Sequence, residues 1–204
     1  MELIAQLCVE HDVVAFTDEI YEHLVYEGEH ISIATLPGMA ERTVSISGLS
    51  KTFSVTGWRL GFAIASPLLT DAIRKVHDFM TVGAPAPLQM AAAAALHLPD
   101  SYYQQLLADY RQRRDFLLPI LAELGFRIYQ PHGAYYVMTD ISAFGYASDL
   151  DFATYLVRDV GVATVPGSSF YHDPSLGRSK IRFAFPKKIE TLERAARPAP
   201  ESAG

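Results

Sequence analysis

Short apolar runs with β-branched residues alternate along this chain with longer stretches whose apolar positions recur at helical spacing. Val13-Val14-Ala15-Phe16-Thr17, Thr43-Val44-Ser45-Ile46-Ser47 and Gly61-Phe62-Ala63-Ile64-Ala65 have the length and composition of buried strands. Helical patterns cover residues 1–10, 68–79 and 87–97, with Pro87 suited to a first turn and the alanine run after it favouring helix. Residues 101–124 form the longest amphipathic stretch, carrying Leu106, Leu107, Tyr110, Phe116, Leu117 and Leu121 on spacings that suit a helix joining two lobes. Pro119 inside it predicts a kink or a break.

Beyond that helix the pattern changes to short strands and one helix, as in a smaller α+β lobe. Phe126-Arg127-Ile128-Tyr129 and Ala134-Tyr135-Tyr136-Val137-Met138 are expected to pair across the Pro131-His132-Gly133 turn. Tyr135 and Tyr136 fall on opposite faces of that strand, so one of them can edge a pocket while the other packs. Asp149 reads as the cap of a helix over 150–160, and Val162-Ala163-Thr164-Val165 leads into a Pro166-Gly167 turn, read as structural. The Pro/Ala/Glu/Ser/Gly tail from Pro198 has the composition of a disordered segment.

Composition narrows the function classes. Half of the 204 residues are hydrophobic, enough to bury a sizeable core. The formal charge of -6 argues against a nucleic-acid surface. The single Cys8 excludes an internal disulfide and suits a reducing compartment, so a cytoplasmic protein is expected. No run is apolar enough to span a bilayer, and the opening residues carry Glu2 without a basic stretch, unlike a secretory leader. The seven histidines show neither a helical two-histidine spacing nor a cysteine partner, so no metal site is expected.

Candidate chemistry is concentrated in Gly48-Leu49-Ser50-Lys51-Thr52-Phe53-Ser54-Val55-Thr56-Gly57-Trp58-Arg59-Leu60-Gly61. One lysine stands there among small residues, with an arginine a short loop beyond it. Taken alone, such a loop is as readily a solvated connection. An accessible, partly neutral lysine amine can nevertheless join an aldehyde, and an arginine fork binds a phosphate with directional control. Together they point to pyridoxal phosphate. Asp18 and Tyr21 follow the first strand, at the sheet end where ligands of open α/β sheets gather. An aspartate there can pair with a protonated pyridine nitrogen, and a tyrosine hydroxyl can donate to the ring's phenolate oxygen.

These residues resemble the carboxyl-terminal half of a class I/II aminotransferase, the fold-type I group of pyridoxal phosphate enzymes, over nearly the whole chain. The resemblance implies Asp18 on the pyridine nitrogen, Tyr21 on the phenolate, Lys51 as the Schiff-base lysine and catalytic residue, and Arg59 on the phosphate. It also carries the substrate α-carboxylate role to Arg182, which lies in Lys180-Ile181-Arg182-Phe183-Ala184-Phe185. Many relatives have a serine three residues before the lysine, where this chain has Gly48, so that hydroxyl contact is lost or moves to Ser47 or Ser50.

The implied fold is α/β: part of a fold-type I large domain, with a mostly parallel sheet and helices, followed by a C-terminal α+β small domain. Residues 1–110 would be the C-terminal part of the large cofactor-binding domain, and residues 111–204 the small domain. The implied reaction moves an amino group between an amino acid and a 2-oxo acid, in an enzyme that is a homodimer at full length. The Gly/Ser phosphate turn, the ring-stacking aromatic residue and the Asn-Pro motif of the family do not occur in the chain, and only about three strands of the large sheet are visible. An aminotransferase fragment with an exposed sheet edge and an uncovered apolar face is therefore expected. A carbon-sulfur β-lyase and a catalytically silent aminotransferase-like module are the alternative readings.

Overall fold

The computed structural model describes residues 1–196, and the chain divides into two compact units, Met1–Leu106 and Leu107–Gly204. The tail from Pro198, expected to be disordered, lies outside the described residues.

The first unit runs α1 (Glu2–Glu10), β1 (Ala15–Asp18), β2 (Thr43–Gly48), α2 (Leu49–Thr52), β3 (Gly61–Ala65), α3 (Pro67–Met80) and α4 (Ala86–Leu96), and ends with the start of α5 (Asp100–Glu123). Its strands form a sheet in the order β1-β2-β3. The mostly parallel sheet expected from the sequence is found only in part, since β1 and β2 pair in parallel but β2 and β3 pair antiparallel. The connection from β2 to β3 holds only the single turn α2 and a 3-10 turn at Thr56–Trp58. Neither is long enough to carry the chain back along the sheet for a parallel return.

Side chains that share a face follow from the register. Phe16, Val44 and Ala65 lie on one face, while Ala15, Ser45 and Ile64 lie on the other. One core cluster joins Ala5 and Cys8 of α1 to Ile33 and Met39 of the long β1–β2 connection, with Ala15 packed against it. A second joins Leu49, Leu60 and Ala92, with Phe53, Val55, Phe62 and Leu88 around it, so α4 is packed under the lysine loop. Helix α3 is amphipathic yet has no buried residue, and Phe79 on it is 93% exposed. Phe16 on β1 is 67% exposed.

The second unit takes up α5 and continues with β4 (Arg127–Tyr129), β5 (Tyr136–Asp140), α6 (Asp149–Tyr155), β6 (Val165–Pro166), β7 (Lys180–Ala184) and α7 (Ile189–Ala196). Its sheet is antiparallel throughout, in the order β4-β5-β7-β6. Val137, Thr139, Ile181 and Phe183 are buried on one face, whereas Tyr136, Met138 and Arg182 alternate onto the other. The buried face continues through Phe126, whose ring contacts those of Phe152 and Phe183.

Several local expectations are corrected. Pro119 does not break α5, which continues to Glu123. The carbonyl deprived of its partner belongs to Asp115 on an exposed side, where water can satisfy it, while buried Leu117, Leu118 and Leu121 hold the helix in place. Ser148 rather than Asp149 caps α6, its Oγ accepting from Asp151 N at 3.1 Å. The helix expected over 150–160 is α only to Tyr155, and residues Leu156–Val160 form a π turn. Ala134 has φ 62, a left-handed conformation, so β5 begins two residues later than the apolar run. Of the run 162–165 that leads into the Pro166-Gly167 turn, only Val165 belongs to a strand, β6, and α7 is an additional helix.

Candidate functional site

The sheet topology gathers the predicted residues of the first unit. Asp18 is the last residue of β1, Lys51 stands three residues beyond β2, and Arg59 stands two residues before β3. Because β2 runs parallel to β1 and antiparallel to β3, all three emerge at the same end of the sheet, together with Tyr21 and Ser50. The donor set there is an amine, a carboxylate, a guanidinium and two hydroxyls, which fits pyridoxal phosphate chemically.

Lys51 is half-buried on a turn that is tied on every side. Leu49 N donates to Leu60 O at 3.2 Å and Phe53 N to Leu49 O at 3.0 Å. Thr56 Oγ1 donates to Ser50 O at 3.1 Å, and Tyr102 Oη at the start of α5 donates to Thr52 O at 2.8 Å. The Tyr102 ring also stacks on Phe53, with 5.5 Å between centroids. Burial raises the Tyr102 phenol above its ordinary pKa, with Tyr103 adding to the effect, so it stays a donor.

Arg59 adopts φ 52 and ψ 43 at the end of the Thr56–Trp58 turn, a left-handed conformation uncommon for a side-chain-bearing residue. Its Nη1 donates to Thr56 O at 3.0 Å. Arg59 and Arg74 line an open pocket of about 750 Å³ with Trp58, His77 and Gln89. Non-glycine residues held in that region cluster at ligand sites, where surrounding structure compensates the strain.

Asp18 is exposed, and its Oδ1 accepts from Ile20 N at 3.1 Å, shaping the turn that leads to Tyr21. The next residue, Glu19, anchors that turn. Its backbone N donates to Ile46 O at 2.7 Å, and its carboxylate accepts from Thr17 Oγ1, Ser32 Oγ and His30 Nε2, each at 2.8 Å. Burial pushes the Glu19 carboxyl up, but the hydrogen bonds from His30, Ser32 and Thr17 outweigh it and leave the pKa below the ordinary value. Ser47 is buried, and its Oγ donates to Glu22 Oε1 at 2.7 Å, so that hydroxyl proton is already committed within the protein.

Within the second unit, Arg182 lies on the less buried face of β7. Its guanidinium carbon is 4.8 Å from the centre of the Tyr136 ring and 4.4 Å from that of Phe170. Its Nε is buried and makes no hydrogen bond. Aromatic rings over a guanidinium leave its edge, where the N–H donors point, for a planar acceptor such as a carboxylate. Phe170 was not singled out from the sequence. The Pro166-Gly167 turn that leads to it was the available signal. Among the described residues no group of three or more His, Cys, Asp or Glu side chains could hold a metal ion, and no helix is long and apolar enough to cross a membrane.

The fold has counterparts among known proteins. The family model for aminotransferase class I and II matches residues 1–197, and the chain belongs to that family. It is 44% identical over 192 residues to YugH of Bacillus subtilis, whose own aminotransferase designation is provisional, covering 94% of this chain and 49% of that protein. It is 36% identical over 187 residues to the methionine aminotransferase of Escherichia coli, covering 91% and 48%. The solved three-dimensional structure of N-succinyldiaminopimelate aminotransferase from Mycobacterium tuberculosis superposes with a TM-score of 0.91 at 36% identity, covering 95% of this chain and 50% of that one. The α/β fold is thus that of the fold-type I aminotransferase structures, and the chain spans about half the length of the curated relatives it matches.

Proposed function

We propose that this chain carries the lysine-bearing and carboxylate-binding part of a pyridoxal phosphate-dependent aminotransferase, corresponding to the carboxyl-terminal half of the family's fold. Residues 1–110 belong in this reading to the large cofactor-binding domain and residues 111–204 to the small domain, in an enzyme that works as a cytoplasmic homodimer. The observation that carries the reading is the emergence of Asp18, Lys51 and Arg59 at one end of the three-stranded sheet.

When bound, pyridoxal phosphate supplies an aldehyde for amines to join and a protonated pyridine ring that withdraws electrons. The Asp18 carboxylate keeps the proton on the ring nitrogen by charge pairing. The Tyr21 hydroxyl donates to the phenolate oxygen. The Arg59 fork and the Ser50 hydroxyl grip the phosphate, while Ser47 keeps its bond to Glu22. Lys51 Nζ would hold the cofactor through its aldehyde carbon and, as a free amine, would take the proton from the substrate Cα as general base. Arg182 fixes the substrate α-carboxylate through the edge left open between Tyr136 and Phe170. The substrates are then an amino acid and a 2-oxo acid, each holding a carboxylate for Arg182.

Titrating the chain with pyridoxal phosphate and following its visible absorbance, in the wild type and in Lys51→Ala, tests this reading, since the chain spans about half the length of its relatives and turnover belongs to the whole enzyme. A saturable absorption change that disappears in Lys51→Ala is the expected result. A change that persists in that variant, or none in the wild type, would contradict it.

A further inference from the structure

We propose that Asp149 is a positioning residue for Arg182, acting through the Ser168 amide and the Phe170 ring; this rests on the reading of Arg182 as the substrate-carboxylate residue. Asp149 is 2% exposed. A buried carboxylate is costly to keep unless it is satisfied, and capping does not explain this one, because Ser148 performs the cap. Its Oδ2 instead accepts from Ser168 N at 2.7 Å, across 19 residues of chain.

Ser168 is the second residue of the 3-10 turn Gly167–Phe170, and the last residue of that turn covers one face of the Arg182 guanidinium at 4.4 Å. The turn is also pressed against its neighbours at its start. A Cβ on Gly167 would lie 2.6 Å from Gly177 O and 2.6 Å from Lys180 Cβ, so the backbone cannot slide in that direction. Phe170 itself is 46% exposed. Its ring is therefore held over Arg182 more by the turn's backbone than by packing around the side chain. Asp149 supplies the charge-assisted bond that fixes this backbone. Without it, Ser168 N loses its acceptor, Phe170 loses its fixed origin, and the guanidinium plane is confined only from the Tyr136 side.

The test uses the full chain, isotopically labelled, and the Arg182 Nε–Hε cross-peak in its NMR spectrum, assigned by its loss in Arg182→Lys. Pyruvate is the probe. The wild type should show a saturable shift of that peak. Asp149→Ala should weaken the apparent affinity about ten-fold, the scale of one charge-assisted hydrogen bond. Asp149→Asn retains a carbonyl acceptor and should stay within about two-fold of wild type. Phe170→Leu, which leaves the buried carboxylate untouched, should reproduce the Asp149→Ala loss and gives the same reading if that variant folds poorly. A wild-type titration with an unchanged pyruvate affinity in both Asp149→Ala and Phe170→Leu would overturn the inference, even if the melting temperature drops. No saturable response in the wild type would overturn the reading of Arg182 itself, and the inference with it.

Discussion

Gly48 and Gly61 are register partners across the β2–β3 ladder, and neither has ordinary room for a Cβ. On Gly61 that atom would lie 2.9 Å from Ser47 O; on Gly48 it would lie 3.1 Å from Leu60 O and 3.3 Å from Ile20 Cδ1. The close approach holds the start of the lysine turn against the strand that follows Arg59. It also gives a physical reason for glycine at position 48. Gly61→Ala should destabilise the first unit by about 1 to 3 kcal/mol, because a backbone oxygen must move. Gly48→Ala should cost less, since part of its crowding comes from the end of the flexible Ile20 side chain. Urea denaturation of both variants checks the order.

Arg59 offers a trade between stability and binding. Its left-handed backbone, φ 52, costs a non-glycine residue about 1 kcal/mol or more that glycine does not incur. Arg59→Gly should leave stability equal or higher, even after loss of the bond from Nη1 to Thr56 O. Affinity for pyridoxal phosphate should fall by about ten-fold or more through loss of the phosphate fork. A thermal melt and an absorbance titration on the same preparation read both effects.

Tyr102 ties the start of α5 to the lysine turn through Thr52 O at 2.8 Å. Tyr102→Phe keeps the ring stack on Phe53 and removes only the hydroxyl. The expected loss is about 0.5 to 1.5 kcal/mol, with faster amide exchange confined to residues 49–53. Exchange mass spectrometry resolves that segment.

Stability should fall in two steps as pH drops. Burial holds the His23 imidazole, whose ring centre lies 4.4 Å from that of the tilted Tyr103 ring, below its ordinary value of 6.5; Glu22 opposes the shift and His30 adds to it. A histidine depressed in the folded state contributes stability that is present above 6.5 and lost as pH falls through the lower folded value. Glu19, likewise depressed, contributes above 4.5 and loses its contribution below that. Each step is limited to about 1.4 kcal/mol per pH unit for one proton. Urea denaturation from neutral pH downward should show His23→Phe flattening the first step and Glu19→Gln the second.

Periodicity made the elements of the first unit legible. The strand at Gly61–Ala65 and the helices at Pro67–Met80 and Ala86–Leu96 lie at or within one residue of the expected bounds. The antiparallel return of β3 was not legible, because strand direction depends on what the connecting loop can span and not on the strand's own residues. Asp149 illustrates the same limit in the second unit. A carboxylate at a helix start reads locally as a cap, whereas its partner, Ser168 N, is brought to it only by the fold. Phe170 beside Arg182 was hidden for the same reason, since side chains 12 positions apart meet only once β6 has paired with β7. Lys51 and Arg59 could be nominated from the sequence because both stand within one short loop.

The most direct test of the central claim is to add pyridoxal phosphate to the chain, record its visible spectrum, reduce with borohydride and map the modified peptide. A pH-sensitive absorption band that is absent in Lys51→Ala, with the reduced adduct confined to Lys51, is the predicted result. No adduct, or labelling spread over Lys75, Lys180, Lys187 and Lys188, would contradict it.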